Sequence, residues 1–398
     1  MVKCLISYFY ELKIRENIVP KVITLHTPSF MTDNLLYQIA LTLVPQVGAL
    51  TAKNLVSYCG SAEGVFRASR KELLKIPGIG TVVTNAILSA PALQVAEREL
   101  DFIEKNNVEA VFYTDDRYPT RLKQCADSPA ILFFKGTTAQ LLNSERIVAI
   151  VGTRQPSDYG KAVCEELIEG LKLYNALIIS GLAYGIDITA HRKSSLENIP
   201  NIGVLGHGLG SIYPSQHRSV ALKMIENGGL LTEYIHSAKP DREHFPMRNR
   251  IIAGMCDALL VVETAASGGS MISAQLAVDY GRDLFAVPGR INDLKSAGCN
   301  YLIQNDSAKL VTSASDIAET MRWEEHGKTP VRQAQLLLDL SAEEEILLQQ
   351  IQQQPEIAID QLSMMSKMLP GELASTLLTL EFKGAIRTLP GKRYIVLG

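Results

Sequence analysis

No apolar run in the 398 residues reaches the roughly 18 that a membrane-crossing helix needs. A spanning segment of that kind is therefore excluded. Positive charge is not in excess either. The net charge is −3, so any nucleic-acid partner has to be met by a local patch and not by the overall field. The six cysteines (Cys4, Cys59, Cys125, Cys164, Cys256, Cys299) form no CxxC pair, and the seven histidines form no HExxH. Structural zinc and a disulfide framework are excluded on that ground, no metal is expected, and the thiols fit a reducing cytoplasm. No GxGxxG follows the first strand of the central region, and a P-loop lysine is absent. Dinucleotide chemistry and ATP hydrolysis are thus set aside, and no cofactor is expected. What remains, 46% hydrophobic and 20% charged residues, is an ordinary globular composition with room for two or three domains.

The organising stretch is Ile147 to Gly160, IVAIVGTRQPSDYG. Its first five residues are apolar on both faces, as a strand buried between two helical layers requires. The run stops at Gly152-Thr153-Arg154, and a helical pattern opens near Gly160 (Val163, Leu167, Leu171). Such a turn places free N–H groups at the positive end of a helix, where α/β sheets take hold of phosphate. Arg154 adds a planar donor fork. Strand-like runs then recur at 176–180, 202–205, 230–233, 258–263 and 284–287 with helical stretches between them. This predicts a doubly wound, mostly parallel α/β sheet of Rossmann-like kind over 100–320. Two earlier runs, 110–113 and 131–134, read as an extra layer leading into it.

Ligands bind such sheets beyond the carboxyl ends of the strands. Those ends carry Ser180-Gly181, Gly206-His207-Gly208-Leu209-Gly210, Ser267-Gly268-Gly269-Ser270 and Pro288-Gly289. Tight turns need glycine anyway, but four together predict a groove open to an extended anionic chain. Along the same edge, His244-Phe245-Pro246-Met247-Arg248-Asn249-Arg250 starts a helix near Pro246. There Arg248 and Arg250 would lie about 200° apart, and Phe245 would stand just outside the helix. Phe245 stacking on a base, with an arginine on phosphate, is the toolkit for single-stranded nucleic acid. A solvated turn with Phe245 as a hydrophobic staple accounts for the same residues.

Upstream, residues 1–30 read as a tail or start-site extension ahead of Met31. Residues 31–95 are helical and contain a repeat, Val44-Pro45-Gln46-Val47-Gly48 and Ile76-Pro77-Gly78-Ile79-Gly80. The form apolar-Pro-x-apolar-Gly resembles helix–hairpin–helix, SAM-like modules that grip a DNA backbone. Gln46 stands where glycine is usual, and Lys53 is the one basic residue soon after the first copy. A protein-interaction module of two packed hairpins fits equally. Downstream, 321–338 is a polar linker. Residues 339–398 read as three helices and a hairpin about Pro390-Gly391, resembling a winged helix. From 341 onward five Lys/Arg face seven Asp/Glu, a poor balance for a phosphate surface. A protein-contact or regulatory role is favoured there.

Seven motifs in order, VGTR, SGLAYGIDITAH, LGHGLGSIYP, FPMRNRIIAG, VVETAASGGSMISA, YGRDLFAVPG and GCNYLI, make the chain from about 35 to 398 similar to the DNA-processing protein A family, also called Smf. Two details depart from the family pattern: Gly210-Ser211 replace an aspartate before Tyr213-Pro214, and SGGSMIS carries an extra glycine. The resemblance implies a non-enzymatic, dimerising protein that binds single-stranded DNA, protects it during natural transformation and loads RecA recombinase on it. Carried over to this chain, Gly152, Thr153, Arg154, Ser180, Gly181, Phe245, Arg248, Asn249, Arg250 and Ser270 are the expected DNA-binding residues. The alternative is a nucleotide-processing hydrolase of related fold, with Asp187, His191, Glu233 and Glu263 as acid–base groups.

Overall fold

The computed structural model describes residues 30–89, 91–325, 340–352, 354, 356–366, 368–389 and 392–396. Residues 1–29 of the tail expected at 1–30, most of the linker and the Pro390-Gly391 turn lie outside the described residues. The chain divides into two units, Met1–Met321 and Arg322–Gly398. Among the described residues no helix is long and apolar enough to cross a membrane.

Among the described residues the first unit opens with six helices: α1 (Phe30–Thr42), α2 (Ala49–Cys59), α3 (Ala62–Arg67), α4 (Arg70–Leu73), α5 (Thr81–Ser89) and α6 (Pro91–Asn106). The two repeats form one turn twice. Val47 N–H donates to the Val44 carbonyl at 3.0 Å, and Ile79 N–H to that of Ile76 at 3.1 Å. The middle residue is left-handed in both, at φ 65° for Gln46 and 81° for Gly78. Gln46 therefore makes the glycine-type turn despite its Cβ, at a cost of about 1–2 kcal/mol in that region. Gln46→Gly is expected to stabilise the unit by about 0.5–1 kcal/mol after glycine's own entropy cost. An unfolding midpoint in urea that moves downward would refute that reading of the turn.

The helices are not free-standing. Ile39, Leu55, Leu73, Ile87 and Ile103 share one core with Ile131 and Phe133 of the sheet. Lys53 Nζ donates to the Ser128 carbonyl and hydroxyl at 2.7 and 2.6 Å and lies 5.8 Å from the Tyr113 ring centre. The basic residue expected on the first hairpin's surface is thus committed to holding the hairpin on the core. Glu99 of α6, 2% exposed, accepts from the His236 amide at 3.0 Å and meets its Nδ1 at 2.5 Å.

The sheet has nine strands: β1 (Glu109–Phe112), β2 (Ile131–Gly136), β3 (Ile147–Val151), β4 (Leu177–Ser180), β5 (Asn201–Val204), β6 (Gly228–Thr232), β7 (Ala258–Val261), β8 (Asp283–Ala286) and β9 (Lys309–Leu310). Their order is β1-β2-β6-β5-β4-β3-β7-β8-β9. The strands from β6 to β9 run parallel, whereas β2 joins β6 antiparallel and β1 joins β2 antiparallel. The two early strands are therefore not an extra layer. They extend the same sheet at one edge, because β2 alternates Ile131 and Phe133 toward the helical layer with Leu132 and Phe134 toward the main core.

Between the strands lie α7 (Thr120–Lys123), α8 (Asp158–Leu171), α9 (Ile186–Leu196), α10 (Arg218–Glu226), α11 (His244–Met255), α12 (Gly269–Asp279) and α13 (Ala297–Gln304), and α14 (Ala314–Met321) follows β9. β3 is buried at all its positions, as its apolar run demands. Helix α11 starts at His244, two residues before the expected start, so Phe245 lies in its first turn and not outside it.

The second unit contains α15 (Ala342–Gln352), β10 (Ile357–Ala358), α16 (Ile359–Ser366), α17 (Pro370–Phe382), β11 (Ile386–Leu389) and β12 (Arg393–Val396). Its small sheet is ordered β10-β12-β11, and Leu347, Ile351, Leu362, Leu373, Leu377 and Leu380 form its core. This is the winged-helix arrangement that the sequence resembled. Lys383 is paired with Glu344 and Arg393 with Glu356, both at 2.7 Å, while Leu378 and Phe382 of α17 are exposed.

Candidate functional site

From β3 the chain steps outward through β4 and β5 to β6, then returns to lay β7 on the other side of β3. The strand order reverses at the β3–β7 junction, so the loops leaving these strands diverge and a crevice must open there. A cleft of about 810 Å³ occupies that place, lined by Gly152, Thr153 and Arg154 after β3 and by Thr264, Gly268, Gly269 and Ser270 after β7.

The turn after β3 is held from both sides. Thr153 N–H donates to the Glu263 carbonyl at 2.7 Å, and its carbonyl accepts from Ile186 N–H at 3.1 Å. A Cβ on Gly152 would lie 2.5 Å from Ile186 Cγ1, so glycine is required by close approach. Arg154 is left exposed, its guanidinium 5.9 Å from the Phe245 ring centre.

The start of α8 is not the anion site its sequence promised. Ser157 caps it, accepting Gly160 N–H at 3.0 Å, and Glu263 takes both the amide and the hydroxyl of Ser157 at 2.7 Å. A Cβ on Gly160 would stand 2.6 Å from that carboxylate. The protein's own Glu263 thus fills the positive end of α8. Helix α12, by contrast, does open on the cleft. Its N-cap Gly268 offers no side-chain cap, and Ser270 Oγ donates to Thr264 Oγ1 at 2.6 Å beside it.

The expected residues separate into two groups. Gly152, Thr153, Arg154, Phe245, Arg248, Asn249 and Ser270 line the cleft. Ser180 is fully buried and donates to the Ile150 carbonyl at 2.6 Å, tying β4 to β3. Gly181 is kept bare because the Arg248 guanidinium and the Asp187 carboxylate lie where its Cβ would be. Arg250 turns away from the cleft. Its Nη2 pairs with Glu233 at 2.5 Å and its Nη1 donates to the Asp127 carbonyl at 2.6 Å. Helical spacing allowed at most one of the two arginines to face the edge squarely, and that one is Arg248.

Arg248 is 3% exposed. Its Nη1 donates to the Val204 carbonyl at 3.0 Å, and its Nε is buried with no partner among the described residues. Burial lowers its pKa, with the Asp187 charge opposing. Burial likewise raises that of Asp187, against Arg248, the Ala183 amide and Arg154. Each charge therefore offsets part of the other's desolvation.

Among the cleft residues that escaped the sequence reading as ligand contacts are Arg242, Tyr213 and Asp187. Arg242 precedes Phe245 by three residues, a signal that was available. Tyr213 was visible only as part of a Tyr-Pro pair. Its ring lies 5.9 Å from that of Phe245.

The acid–base candidates are dispersed. Glu263 caps α8, and Glu233 is paired with Arg250. His191 is buried against Asn201 at 3.0 Å, and burial drives its pKa down to about 4, so its ring is neutral at pH 7. Only Asp187 lines the cleft.

Comparison with known proteins agrees with this architecture. The family described as DNA recombination-mediator protein A matches residues 109–322, the DprA winged helix domain matches 331–392, and a helix-hairpin-helix motif matches 61–90, the second copy of the repeat. DNA processing protein DprA of Bacillus subtilis is 36% identical over 263 residues, covering 64% of this chain and 88% of the relative. Its namesake in Streptococcus pneumoniae is 41% identical over 203 residues, 51% of this chain and 71% of the relative. The X-ray structure of the Streptococcus pneumoniae protein superposes with a TM-score of 0.63 at 33% identity, over 73% of this chain and 99% of that one. A structure of DNA processing protein A from Helicobacter pylori, described for its single-stranded DNA binding mode, gives 0.50 at 30% identity, over 55% and 97%. With one family matched along more than half its length and relatives above 30% identity on both counts, the chain belongs to the DNA recombination-mediator protein A family, DprA/Smf.

Proposed function

We propose that this chain binds single-stranded DNA in the β3–β7 cleft and acts without chemical turnover. The observation that carries the reading is Arg154, exposed and set over the Phe245 ring at the topological switch point. A cation beside a stacking face suits a flexible chain of bases and phosphates. Each stacked base is worth roughly 1–3 kcal/mol whatever its sequence. Arg242 on the same rim is exposed, and the buried Arg248 guanidinium adds positive charge at the cleft floor. The binding mode named for the Helicobacter pylori relative supports the same assignment. Of the acid–base groups the hydrolase alternative needs, Asp187 alone reaches the cleft, while Glu233, Glu263 and His191 are committed to structural partners. As the family resemblance implies, the bound strand is incoming DNA in natural transformation, held by a homodimer in the cytoplasm and passed to RecA. The acidic winged helix suits contact with protein.

The deciding experiment is a salt titration of binding to a labelled oligonucleotide, single-stranded against duplex, with phosphate release followed in parallel. Salt-sensitive binding that prefers the single strand, without release, is the expected result. Weak binding to both forms together with hydrolysis of a nucleotide would replace this reading with the hydrolase.

A further inference from the structure

The cleft does not end at Phe245. Beyond it, the loops that leave β5 and β4 carry two more aromatic rings on the rim. Tyr213, 49% exposed, lies 5.9 Å from Phe245 at a tilt of 35°. Its backbone N–H donates to His207 Nε2 at 3.3 Å, which fixes the loop beneath it. Three residues on, Gln216 accepts the Tyr184 hydroxyl at 3.0 Å. Tyr184 is 45% exposed and packs edge-on against the His217 ring at 4.9 Å. The ring is thus held at its tip and along one side, so a base stacking on it would cost little further side-chain entropy. Tyr184 also precedes Gly185, where an added Cβ would run into the backbone of Thr153 and Arg154, so the two loops lie side by side. Arg154, Phe245, Tyr213, Gln216 and Tyr184 therefore form one connected rim.

A cation stands at the far end of this rim. Arg218 is the first residue of α10, is exposed, and has no ion pair among the described residues. Arg218 follows directly on the short helical turn Ser215–His217, and its exposed guanidinium is available to an external phosphate.

We infer that the rim formed by Tyr213, Tyr184 and Arg218 is a second nucleotide subsite, on which bases leaving the cleft past Phe245 stack while Arg218 holds the backbone. The ligand class is single-stranded nucleic acid longer than the cleft itself accommodates. The inference rests on the proposed binding of single strands in the cleft and extends its path across the ends of β4 and β5.

The test is affinity as a function of length, by fluorescence anisotropy with oligothymidylates from about six to about twenty nucleotides, a range that brackets one site and its extension. The wild-type protein is expected to tighten with length. Tyr184→Ala should bind the shortest oligomer normally and lose about tenfold on the longest. Tyr184→Phe, which keeps the ring, should retain the gain. Arg218→Ala should reduce the salt slope by about one for long oligomers only. Tyr184→Trp should show emission quenched by long oligomers over the background of the native Trp323. Alanine variants that track the wild type at every length would overturn the second subsite. So would a Tyr184→Phe variant as weak as Tyr184→Ala, because loop geometry and not stacking would then be responsible. Loss of even the shortest oligomer's dependence on Arg154 would instead overturn the cleft reading on which the inference stands.

Discussion

Arg250→Ala is expected to remove about 3–5 kcal/mol of folding stability without removing a DNA contact. The family resemblance, through the Phe-Pro-x-Arg-x-Arg motif, placed this arginine among the strand-binding residues, although helical spacing allowed only one of the two to face the edge. The structure instead pairs it with Glu233 at 2.5 Å, the two side chains being 10% and 16% exposed. Glu233 Oε1 already lacks a partner among the described residues, so truncating Arg250 leaves an uncompensated carboxylate in the interior. The defect has a characteristic pH dependence. Burial already raises the Glu233 pKa, and Arg250 is the chief opposing influence. Without Arg250 the folded-state pKa rises further above its unfolded value. A raised carboxyl favours the folded state at low pH, and that advantage is lost as pH rises through the folded pKa. The variant should therefore lag the wild type most at neutral pH and recover as the medium becomes acidic. Glu233→Gln in the same background should recover part of the loss at pH 7. Urea unfolding followed by circular dichroism across pH 5–8 measures all of this. A variant as stable as the wild type at pH 7, yet weaker for oligonucleotides, would return Arg250 to the binding surface.

The largest expected effects on binding come from Arg154 and Phe245, and they differ in kind. Arg154→Ala should weaken single-strand affinity about tenfold at moderate salt and lower the slope of log affinity against log salt by about one. Phe245→Ala should cost roughly 1–3 kcal/mol of binding through lost stacking and leave the slope unchanged. Because the guanidinium sits 5.9 Å from the ring centre, the two losses should not add in the double variant. Arg248→Ala is a different experiment. That arginine is buried, holds the Val204 carbonyl and faces Asp187, so its removal should first destabilise the fold. Anisotropy titrations at several salt concentrations, paired with a melting curve for each variant, separate the cases. Unchanged affinity and slope in both Arg154→Ala and Phe245→Ala would remove the cleft from the binding path.

Much of the architecture was legible in local pattern. The apolar run of 147–151 reads as a buried strand and is one, residue for residue. The recurrence of such runs implied the parallel sheet, and the apolar-Pro-x-apolar-Gly repeat marked two helical hairpins that share one turn. Strand ends were less well placed. Glu233 and Glu263 follow β6 and β7 and do not end them, because apolar character continues past the last ladder hydrogen bond.

The candidate site was legible only in part. Residue type and sequence neighbourhood singled out Arg154, Phe245 and the glycine-rich turns, because a turn and a helix start are properties of a few adjacent residues. The fate of each charge was not legible. Glu263 fills the start of α8 from 106 positions beyond Ser157, Asp127 and Glu233 claim Arg250, and Ser128 claims Lys53. Arg242 and Tyr213 join the cleft from loops after β6 and β5, and β1 and β2 join the sheet's edge antiparallel. By itself the sequence determined which segments are strands, helices and tight turns, since period, branching and glycine act over a few residues. Only the tertiary structure decided which helix N-terminus stays open, which arginine stays free and where the cleft lies. Those outcomes depend on strand order, which brings together residues a hundred positions apart that no local pattern relates.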